Sequence, residues 1–433
     1  MRLFNILNNY LCIRQAALGN VRASSHCTRL HYLCTLIYFT HHNMISGLAN
    51  TRTDTQPDKT LRVLVVDIVA STPTFVYSHV KIISGDVILL NDMKGWLSRH
   101  RDSAWARLAL PLWRMAYSLR RRTRNGLSPY DRLLARWIQK ERFDVVFAEF
   151  GPAAAAMLSV CKKAGVPLVP CFHGYDITKR KVVEQHQEVY RQLFAYATSV
   201  ISVSHFLSCR LVKAGCPPEK LVYSPCLPEE SFYEIQGQAD RPLLVFCGRF
   251  VYKKCPQALL LAFARICKQH PEAQLIMAGS GELLYYTMQL CRFLGIDRQV
   301  AFPGRITQEK FRELLMHARA YVQHSITAHD GDSEGSPVAI MEAQAAGVPV
   351  ISTRHSDIPT IVIHHKTGFL VEEGDIEGMA RHMSFVLENP DAARQLGILA
   401  KEHMLRKYPK RSEADIINDT LHQAVQAYRH NRH

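Results

Sequence analysis

Short, nearly continuous apolar runs alternate with longer amphipathic stretches along most of the chain from residue 61 onward. A short apolar run is typical of a strand buried on both faces of a parallel sheet, and the apolar spacing between the runs is helical. Strands are therefore predicted at 61–67, 86–90, 144–148, 166–171, 199–203, 221–224, 243–247, 274–278, 299–302, 320–323, 348–352 and 368–371. Helices are predicted at 153–164, 204–214, 256–269, 282–294, 308–317, 337–346, 376–388 and 412–428.

The repeated order of strand and helix predicts an α/β protein with two Rossmann-like, doubly wound domains that face each other across a cleft. A polar, aperiodic stretch at 228–241 separates the two series and is typical of a linker. We expect a first domain at 61–227, a second domain at 242–408, and a C-terminal segment at 409–433 whose helix returns to the first domain. Ligands of such sheets bind at the carboxyl ends of the strands, so the cleft is the expected site.

Residues 1–60 precede the regular pattern and are not expected to be part of the fold. Residues 1–53 contain five arginines, no lysine and no acidic residue. This composition is typical of an organelle transit sequence, and it also fits an upstream extension of the reading frame in which Met44 is the true start. This stretch contains no long apolar core, so we expect no secretory signal there.

The net charge of +15 over 433 residues is concentrated in two segments. Residues 1–53 contribute +5 and residues 96–124 contribute +7, so the rest of the chain is nearly neutral. A general nucleic-acid binder, with basic residues spread over one face, is therefore not expected. The twelve cysteines form no C-x-x-C pair, and no apolar stretch reaches the roughly 20 residues of a membrane span, so we expect a cytoplasmic protein.

The most informative motif runs from Glu334 to Glu342 and reads E-G-S-P-V-A-I-M-E. Pro337 suits the first turn of a helix, because its missing N–H costs nothing there. The preceding Gly335 and Ser336 let backbone N–H groups face a ligand, and with the positive helix end they predict an anion site suited to a diphosphate. Glu334 can accept hydrogen bonds from nearby hydroxyls, and Glu342 can reach a diol such as a ribose. A surface helix with an acidic residue at each end is the plainer interpretation.

A second cluster, C-G-R-F-V-Y-K-K, follows a predicted strand and precedes a predicted helix. Gly248 permits a tight turn, and Arg249 and Lys254 near the strand end can neutralise two phosphates. The loop Gly279-Ser-Gly281 also joins a strand to a helix, although a lone G-x-G is weak evidence by itself. A solvated basic turn and ordinary turn chemistry are the alternative interpretations of these two loops.

Taken together, these motifs resemble those of the family-4-like retaining glycosyltransferases, which have the GT-B fold. Glu334 to Glu342 match the E-x7-E motif of that family. The turn at 248–254, the loop at 279–281 and the sequence G-V-P-V from Gly347 occur in the order that the family uses. The resemblance covers about residues 61–410.

The first domain and one further loop extend the resemblance. Residues 147–151 and 172–178 look like the acceptor-side loops of the family, and 324–335 is most similar to members that build colanic-acid-like or amylovoran-like exopolysaccharides. The resemblance implies a retaining hexosyltransferase that moves a sugar from a nucleotide-diphosphate donor to a saccharide or lipid-linked acceptor. It implies no cofactor apart from the nucleotide sugar itself, which is the donor substrate.

The resemblance also implies roles for individual residues. Arg249 and Lys254 hold the donor diphosphate and stabilise charge on the departing nucleotide. Glu334 contacts hydroxyls of the donor sugar, and Glu342 contacts the ribose. His173 lies at the reaction centre beside the donor sugar or phosphate, whereas a structural turn histidine is the alternative.

Further positions are implied to line the nucleotide. Arg305 and Ile306 form the base pocket, while the backbone contributes at Gly248, Gly279, Gly281, Gly335 and Ser336. Members of the family transfer on one face of the sugar without a carboxylate nucleophile, so the two glutamates are not expected to act as a glycosidase pair. Asp330-Gly-Asp332 is a D-x-D sequence that could bind Mg²⁺, but an acidic surface loop is the preferred interpretation and no essential metal is expected.

Two other functions remain open. A catalytically inactive relative would bind a sugar nucleotide or act as a scaffold in polysaccharide assembly, and the loop at 68–74, which lacks the paired glycines of many members, favours it mildly. A sugar-nucleotide epimerase on the same fold would need a second acid or base beside His173, and none is identified. The retained Arg249, Lys254 and Glu334 favour the transferase.

The basic segment 96–124 predicts an amphipathic helix. Trp105, Leu108, Leu112 and Trp113 share one helical face, while arginines lie elsewhere around it. This pattern fits a helix on an anionic membrane surface, which places the protein peripherally on the inner face of the plasma membrane. It fits a core-facing helix with a solvated basic face about equally well.

Overall fold

The computed structural model describes residues 60–67, 74–91, 127–408 and 412–430. Residues Thr60–His433 form one compact unit. Its strands are β1 (Arg62–Asp67), β2 (Asp86–Asn91), β3 (Val145–Glu149), β4 (Leu168–Phe172), β5 (Val200–Ser202), β6 (Leu221–Tyr223), β7 (Leu243–Cys247), β8 (Gln274–Ala278), β9 (Val300–Gly304), β10 (Ala320–Val322), β11 (Val350–Thr353) and β12 (Gly368–Val371).

The described helices begin and end close to turn and capping residues. They are α1 (Thr74–Ile82), α2 (Pro129–Lys140), α3 (Gly151–Ala164), α4 (Tyr175–Thr178), α5 (Arg180–Tyr196), α6 (His205–Lys213), α7 (Glu230–Tyr233), α8 (Pro256–Ile266), α9 (Leu284–Phe293), α10 (Gln308–His317), α11 (Val338–Ala345), α12 (Ile358–Ile361), α13 (Ile376–Glu388), α14 (Pro390–Lys407) and α15 (Ser412–His430). Short 3₁₀ turns lie at Pro218–Lys220 and Tyr252–Lys254.

The strands form two parallel sheets of six, in the orders β2-β1-β3-β4-β5-β6 and β12-β11-β10-β7-β8-β9. In each sheet the later strands are added first on one side of the starting strand, β1 or β7, and then on its other side. This order is the doubly wound pattern. The predicted α/β fold of two Rossmann-like sheets is therefore confirmed. The apolar runs are buried as expected, since β3 and β4 are fully buried along their length.

Each sheet has its own hydrophobic core. Residues of β1, β3 and β4 join those of the covering helices in the first core, and α15 contributes Ile417, Leu421 and Val425 to it. The C-terminal helix thus packs on the first sheet although it follows the second sheet in sequence. Two further clusters cover the two faces of the second sheet.

The segment 228–241 differs from the expected polar linker. It contains α7, and Phe232 and Tyr233 of that helix are buried in a core of the second sheet. The helix expected from Pro337 begins instead at Val338, and Pro337 is the residue immediately before it. The difference is small, because Pro337 still precedes the first free N–H groups of the helix.

Contacts between elements of the two sheets close the cleft on one side. Asp357, just before α12, accepts hydrogen bonds from the backbone N–H groups of His205 and Phe206 at the start of α6 (2.6 and 2.8 Å). The N–H of Arg180 donates to the carbonyl of Asp330 at 2.9 Å. The described residues contain no helix with the length and hydropathy of a membrane span, and the predicted helix in 96–124 lies outside them.

Candidate functional site

Two glycine turns meet at the carboxyl ends of the second sheet. The N–H of Gly248, after β7, donates to the carbonyl of Ala278, and the N–H of Gly279 donates to the carbonyl of Gly304 at 2.7 Å. Gly279 has φ 135°, and a Cβ atom there would overlap the carbonyl oxygen of Gly248. Only glycine fits this approach, so the turns that contain Gly248, Gly279 and Gly281 are held against one another beside Arg305.

Lys254 and Glu334 form a buried ion pair between the ends of β7 and β10. Lys254 Nζ lies 2.9 Å from Glu334 Oε1, and the two side chains are 13% and 6% exposed. Lys254 also donates to Gln323 Oε1 at 3.2 Å, and Ser325 Oγ donates to Glu334 Oε1 at 3.2 Å. Among the described residues no donor reaches Glu334 Oε2, so this oxygen is available to a ligand hydroxyl.

The surroundings keep Glu334 ionised. Burial by itself would raise the pKa of this carboxyl group, but the charges of Lys254 and Lys253 outweigh burial and lower the pKa to about 2. The group is therefore a charged hydrogen-bond acceptor at every physiological pH. A charged acceptor binds sugar hydroxyls more strongly than a neutral one does.

Both aspartates of the D-x-D sequence form ion pairs with lysines. Lys179 Nζ lies 2.8 Å from Asp330 Oδ2, and Lys253 Nζ lies 2.9 Å from Asp332 Oδ1. Lys253 is nearly buried and also donates to the carbonyl of Ser333 at 2.9 Å. These lysines fix the loop that leads to Glu334.

The loop 333–336 lies directly against the first sheet. A Cβ atom on Gly335 would overlap the carbonyl oxygen of His173, so the two backbones touch where β4 ends. Ser336 lines a narrow groove between elements of the two sheets. His355 Nε2 accepts the backbone N–H of Glu334 at 3.1 Å, while its Nδ1 lies 2.6 Å from Glu373. His355 therefore carries its proton on Nδ1 and orients the Glu334 backbone.

His173 points its ring into the first sheet. Its Nε2 lies 2.7 Å from Glu149 Oε2, its side chain is 5% exposed, and Nδ1 lies 3.8 Å from Cys226 Sγ. Within the described part of the chain the ring makes no hydrogen bond to Lys254 or Glu334. The structure thus brings the backbone of His173, rather than its ring, into contact with the Glu334 loop.

The remaining expected residues lie around the same edge. Arg249 is exposed and forms no ion pair with a described residue, whereas Ile306 is half-buried and packs on a core of the second sheet. Glu342 is buried in α11 and accepts a hydrogen bond from Gln308 Nε2 at 3.4 Å. Burial raises the pKa of Glu342 to about 7, with Glu229 adding to the shift.

Several side chains around the site were not predicted from the sequence. Gln323, Ser325 and Lys253 lie around Glu334. Gln323 ends a predicted strand and the other two follow predicted strands, which was an available signal. His79 contacts both the Glu149 carboxylate and the Glu413 carboxylate, and all three residues lie far along the chain from the Glu334 motif. No spacing in the sequence connects residues that are this far apart along the chain.

The exposed Arg249, the buried Lys254 and the backbone of the glycine turns together form an electropositive strand edge. Such an edge can hold a diphosphate, because the two cations Arg249 and Lys254 lie on one side of the sheet. The free oxygen of Glu334 adds an acceptor for hydroxyl groups.

Two family models match consecutive parts of the chain. The model described as Glycosyltransferase Family 4 matches residues 96–226, and the model described as Glycosyl transferases group 1 matches residues 229–403. Together they cover more than half of the chain, with the boundary between them at the passage from the first sheet to the second.

Two curated relatives are about 30% identical to this chain over the aligned residues. The chain is 31% identical over 242 residues to the amylovoran biosynthesis glycosyltransferase AmsK of Erwinia amylovora, which covers 55% of this chain and 60% of that protein. It is 30% identical over 249 residues to the putative colanic acid biosynthesis glycosyltransferase WcaL of Escherichia coli strain K12, which covers 56% of this chain and 61% of that protein. The alignments therefore span about three fifths of the length of these relatives.

Solved structures share the fold at lower identity. HepE of Anabaena, crystallised in complex with UDP, matches with a TM-score of 0.63 and 16% identity over 85% of this chain and 100% of that chain. The sucrose-phosphate synthase of Thermosynechococcus elongatus matches with a TM-score of 0.60 and 19% identity over 69% of this chain and 78% of that chain. With its two Rossmann-like sheets, its ordered motifs and both family matches, this chain belongs to the family-4 glycosyltransferases of the GT-B fold.

Proposed function

We propose that the protein transfers a hexose from a nucleotide-diphosphate sugar to a hydroxyl group of a saccharide acceptor, with retention at the anomeric carbon. The observation that carries the proposal is the Lys254–Glu334 pair, which sets a cation and a sugar-binding carboxylate 2.9 Å apart at one strand edge. The nucleotide sugar is the donor substrate, and no resident cofactor takes part.

The two cations act on the leaving group. Arg249 is exposed beside the Gly248 turn, so its guanidinium group is free to pair with a phosphate. Lys254 is held in place by Glu334 and Gln323 before the donor binds. Negative charge develops on the diphosphate as the sugar departs, and fixed cations there lower the barrier without reorganising.

The two carboxylates bind rather than attack. Glu334 is ionised and tied to Lys254 through one oxygen, which leaves the other oxygen for a sugar hydroxyl. Glu342 is buried in α11 beside Gln308, where it faces the ribose. Neither group serves as a nucleophile, so retention requires the acceptor hydroxyl to attack on the face that the nucleotide leaves.

The acceptor class is inferred from relatives. AmsK and WcaL are named for amylovoran and colanic acid biosynthesis, which supports a role in exopolysaccharide synthesis. A mannosyltransferase of Mycolicibacterium smegmatis, 25% identical over 293 residues, is named for GDP-mannose and a phosphatidylinositol mannoside, which supports a lipid-linked acceptor. HepE binds UDP, so the relatives point to no single base.

A lipid-linked acceptor would bring the protein to a membrane surface. We infer that 96–124 makes this contact at the inner face of the plasma membrane, because the sequence of this segment contains eight arginines together with four aromatic and apolar residues at helical spacing. The full chain should sediment with anionic vesicles at low salt. Absence of the chain from the vesicle pellet would refute the membrane contact and leave the transferase proposal intact.

Calorimetric titration of the full chain with UDP-, GDP-, TDP- and ADP-sugars, without added metal, tests donor binding. We expect one class of donor to bind, and Arg249→Ala to abolish that binding. Arg265→Ala is the matched control, because Arg265 is an exposed arginine of α8 paired only with the exposed Glu377. This control should bind the donor as the wild type does.

The alternatives give different results in the same experiment. If the folded wild-type chain binds no nucleotide sugar, the transferase proposal fails and a scaffold remains. If it binds but neither transfers nor hydrolyses the sugar, it is an inactive sugar-nucleotide-binding relative. Conversion of the bound donor into its epimer would identify the epimerase.

A further inference from the structure

A continuous chain of hydrogen bonds leads from His173 to the start of the C-terminal helix. His173 Nε2 donates to Glu149 Oε2 at 2.7 Å, and Glu149 Oε1 accepts from His79 Nδ1 at 2.7 Å. His79 Nε2 donates to Glu413 Oε1 at 3.1 Å, and Glu413 Oε2 accepts from the backbone N–H of Leu227 at 3.0 Å. We refer to His173, Glu149, His79 and Glu413 as the His–Glu chain.

The His–Glu chain joins four separate elements. Glu149 ends β3, His173 follows β4, His79 lies in α1, and Glu413 lies in the first turn of α15. Leu227 lies where the chain passes from the first sheet to the second, and α15 begins where it returns. Glu413 therefore lies on one of the two passages between the sheets and bonds to the other through Leu227. It is connected to Glu149 by two hydrogen bonds, through His79.

The geometry fixes the charge of His79. Both ring nitrogens face carboxylates, and an ionised carboxylate only accepts, so both nitrogens must carry protons. The side chains of His79 and Glu149 are 2% and 0% exposed, and a net charge there would be costly. Two carboxylates are balanced by two imidazolium rings, so the buried His–Glu chain is neutral when His173 is also doubly protonated.

The electrostatic surroundings agree with this charge assignment. Burial by itself would lower the pKa of His79, but Glu149 and hydrogen bonds outweigh it and raise the pKa well above its usual value. The pKa of His173 is also raised well above its usual value, against burial, first by Cys171 and then by hydrogen bonds to Cys226 and Glu149. Burial opposes ionisation of Glu149, yet His79 and His173 lower the pKa of that carboxyl group to about 2.

Three other ionisable groups of the described residues lie close to the rings. Burial raises the pKa of the Cys171 thiol to about 11, so it stays neutral near His173. Cys226 lies 3.8 Å from His173 Nδ1 and also faces His79. The Asp176 carboxylate accepts hydrogen bonds from the N–H groups of Gly151, His173 and Gly174, so it anchors the backbone of the same turn.

We propose that Glu149, His79 and Glu413 are positioning residues that keep the His173 ring doubly protonated and fixed at the reaction centre of the glycosyl transfer. The proposal rests on the proposed function. It assigns a permanent positive charge to the ring of the residue whose own backbone carbonyl touches Gly335, in the loop expected to face the diphosphate. Because Glu413 also holds Leu227, the charge of His173 is linked to the passages between the two sheets.

The first experiment measures the ring charges directly, without any donor. Nitrogen NMR of the full chain labelled with ¹⁵N-histidine reports whether each ring nitrogen carries a proton, and His79→Gln and His173→Gln identify the two rings. We expect both nitrogens of both rings to be protonated at pH 8 in the wild type. Glu413→Gln should leave the His79 ring neutral at that pH.

The second experiment measures hydrolysis of whichever nucleotide sugar binds in the panel above. In Glu413→Gln we expect kcat to fall about tenfold or more at pH 8, the equivalent of one charge-assisted hydrogen bond, with little change in KM. The alkaline limb of the pH–rate profile should move to lower pH. Asp131→Asn is the control for stability, because it disturbs the capping box of α2 and leaves the His–Glu chain intact.

Three results would overturn the inference. They are a neutral His79 or His173 ring in the wild type at pH 8, an unchanged kcat and pH profile in Glu413→Gln, and stoichiometric zinc in the purified chain, since the same atoms would then be metal ligands. Failure of the wild type to bind or hydrolyse any donor would instead refute the proposed function. The ring charges would still decide whether the His–Glu chain is built as described.

Discussion

At the scale of single residues, the Lys254–Glu334 pair makes stability depend on pH. The pKa of Glu334 is lowered to about 2 in the folded chain, whereas an unfolded glutamate titrates near about 4.3. Its contribution to stability is therefore present above pH 4.3 and is lost as pH falls toward 2. The shift corresponds to about 3 kcal/mol of the free energy of unfolding at neutral pH.

This pH dependence can be measured by urea unfolding of the wild type and Glu334→Gln between pH 7 and pH 2. The variant should be less stable at pH 7, because Lys254 is left buried without its charged partner. The difference between the two proteins should shrink as pH falls below about 4.3, where wild-type Glu334 begins to lose its advantage. A difference that stays constant with pH would contradict the ion-pair interpretation.

Glu342 predicts a second pH effect, on binding. Its pKa is raised to about 7 by burial, and the ionised form is the stronger acceptor for the two hydroxyls of a ribose. Nucleotide-sugar affinity should therefore be about tenfold weaker at pH 6 than at pH 8. The phosphates of a nucleotide sugar do not titrate in this range, so calorimetry at the two pH values isolates Glu342. The Glu342→Gln variant should bind the nucleotide sugar equally well at pH 6 and pH 8. If the affinity of the wild type does not change between these pH values, the ribose contact is disproved.

At the scale of elements, the strands were more predictable than the helices. A strand buried on both faces is a continuous apolar run, so β7, β8 and β12 have the predicted bounds. The sequence signal was weaker for α5, which buries only Tyr190, Leu193 and Phe194, and for α14, whose buried face includes the small residues Ala393, Gly397 and Ala400. A narrow or small-residue stripe gives little hydrophobic periodicity.

The candidate site was predictable to the extent that its residues lie in local motifs. Glu334, Lys254 and the glycine turns each follow a strand, so their strand edge could be inferred from one segment at a time. The direction of the His173 ring could not, because it is set by Glu149 and His79. Contacts of that kind depend on how strands and helices pack, which local sequence patterns do not specify.

The contact between two glycine turns gives a prediction about stability. Gly279→Ala should destabilise the protein by about 1–3 kcal/mol or more, because Ala disfavours φ 135° and its Cβ would overlap the Gly248 carbonyl. Gly295→Ala is the matched control, since Gly295 also has positive φ (69°) but nothing lies within 4 Å of an added Cβ. Thermal unfolding should show a larger loss for Gly279→Ala. Equal losses would mean that the contact between the turns is unimportant.

At the scale of the whole molecule, the Asp357 carboxylate holds elements of the two sheets together. Its hydrogen bonds to the N–H groups of His205 and Phe206 predict that these amides exchange slowly with solvent. Asp357→Ala should speed their exchange about tenfold or more. Asp375→Ala is the control, because Asp375 caps α13 within the second-sheet region. Unchanged exchange at His205 in Asp357→Ala would show that the cleft is not closed by this contact in solution.

The central claim is that the chain transfers a sugar from a nucleotide-diphosphate donor. The most direct measurement is proton NMR of the full chain mixed with the α-linked nucleotide sugar that it binds, with water as the acceptor, following the anomeric signals from the start of the reaction. We predict release of the nucleoside diphosphate together with the α-anomer of the free sugar, and loss of this reaction in Arg249→Ala. Release of the β-anomer first would contradict retention, and an intact donor after prolonged incubation with folded protein would contradict the transferase itself.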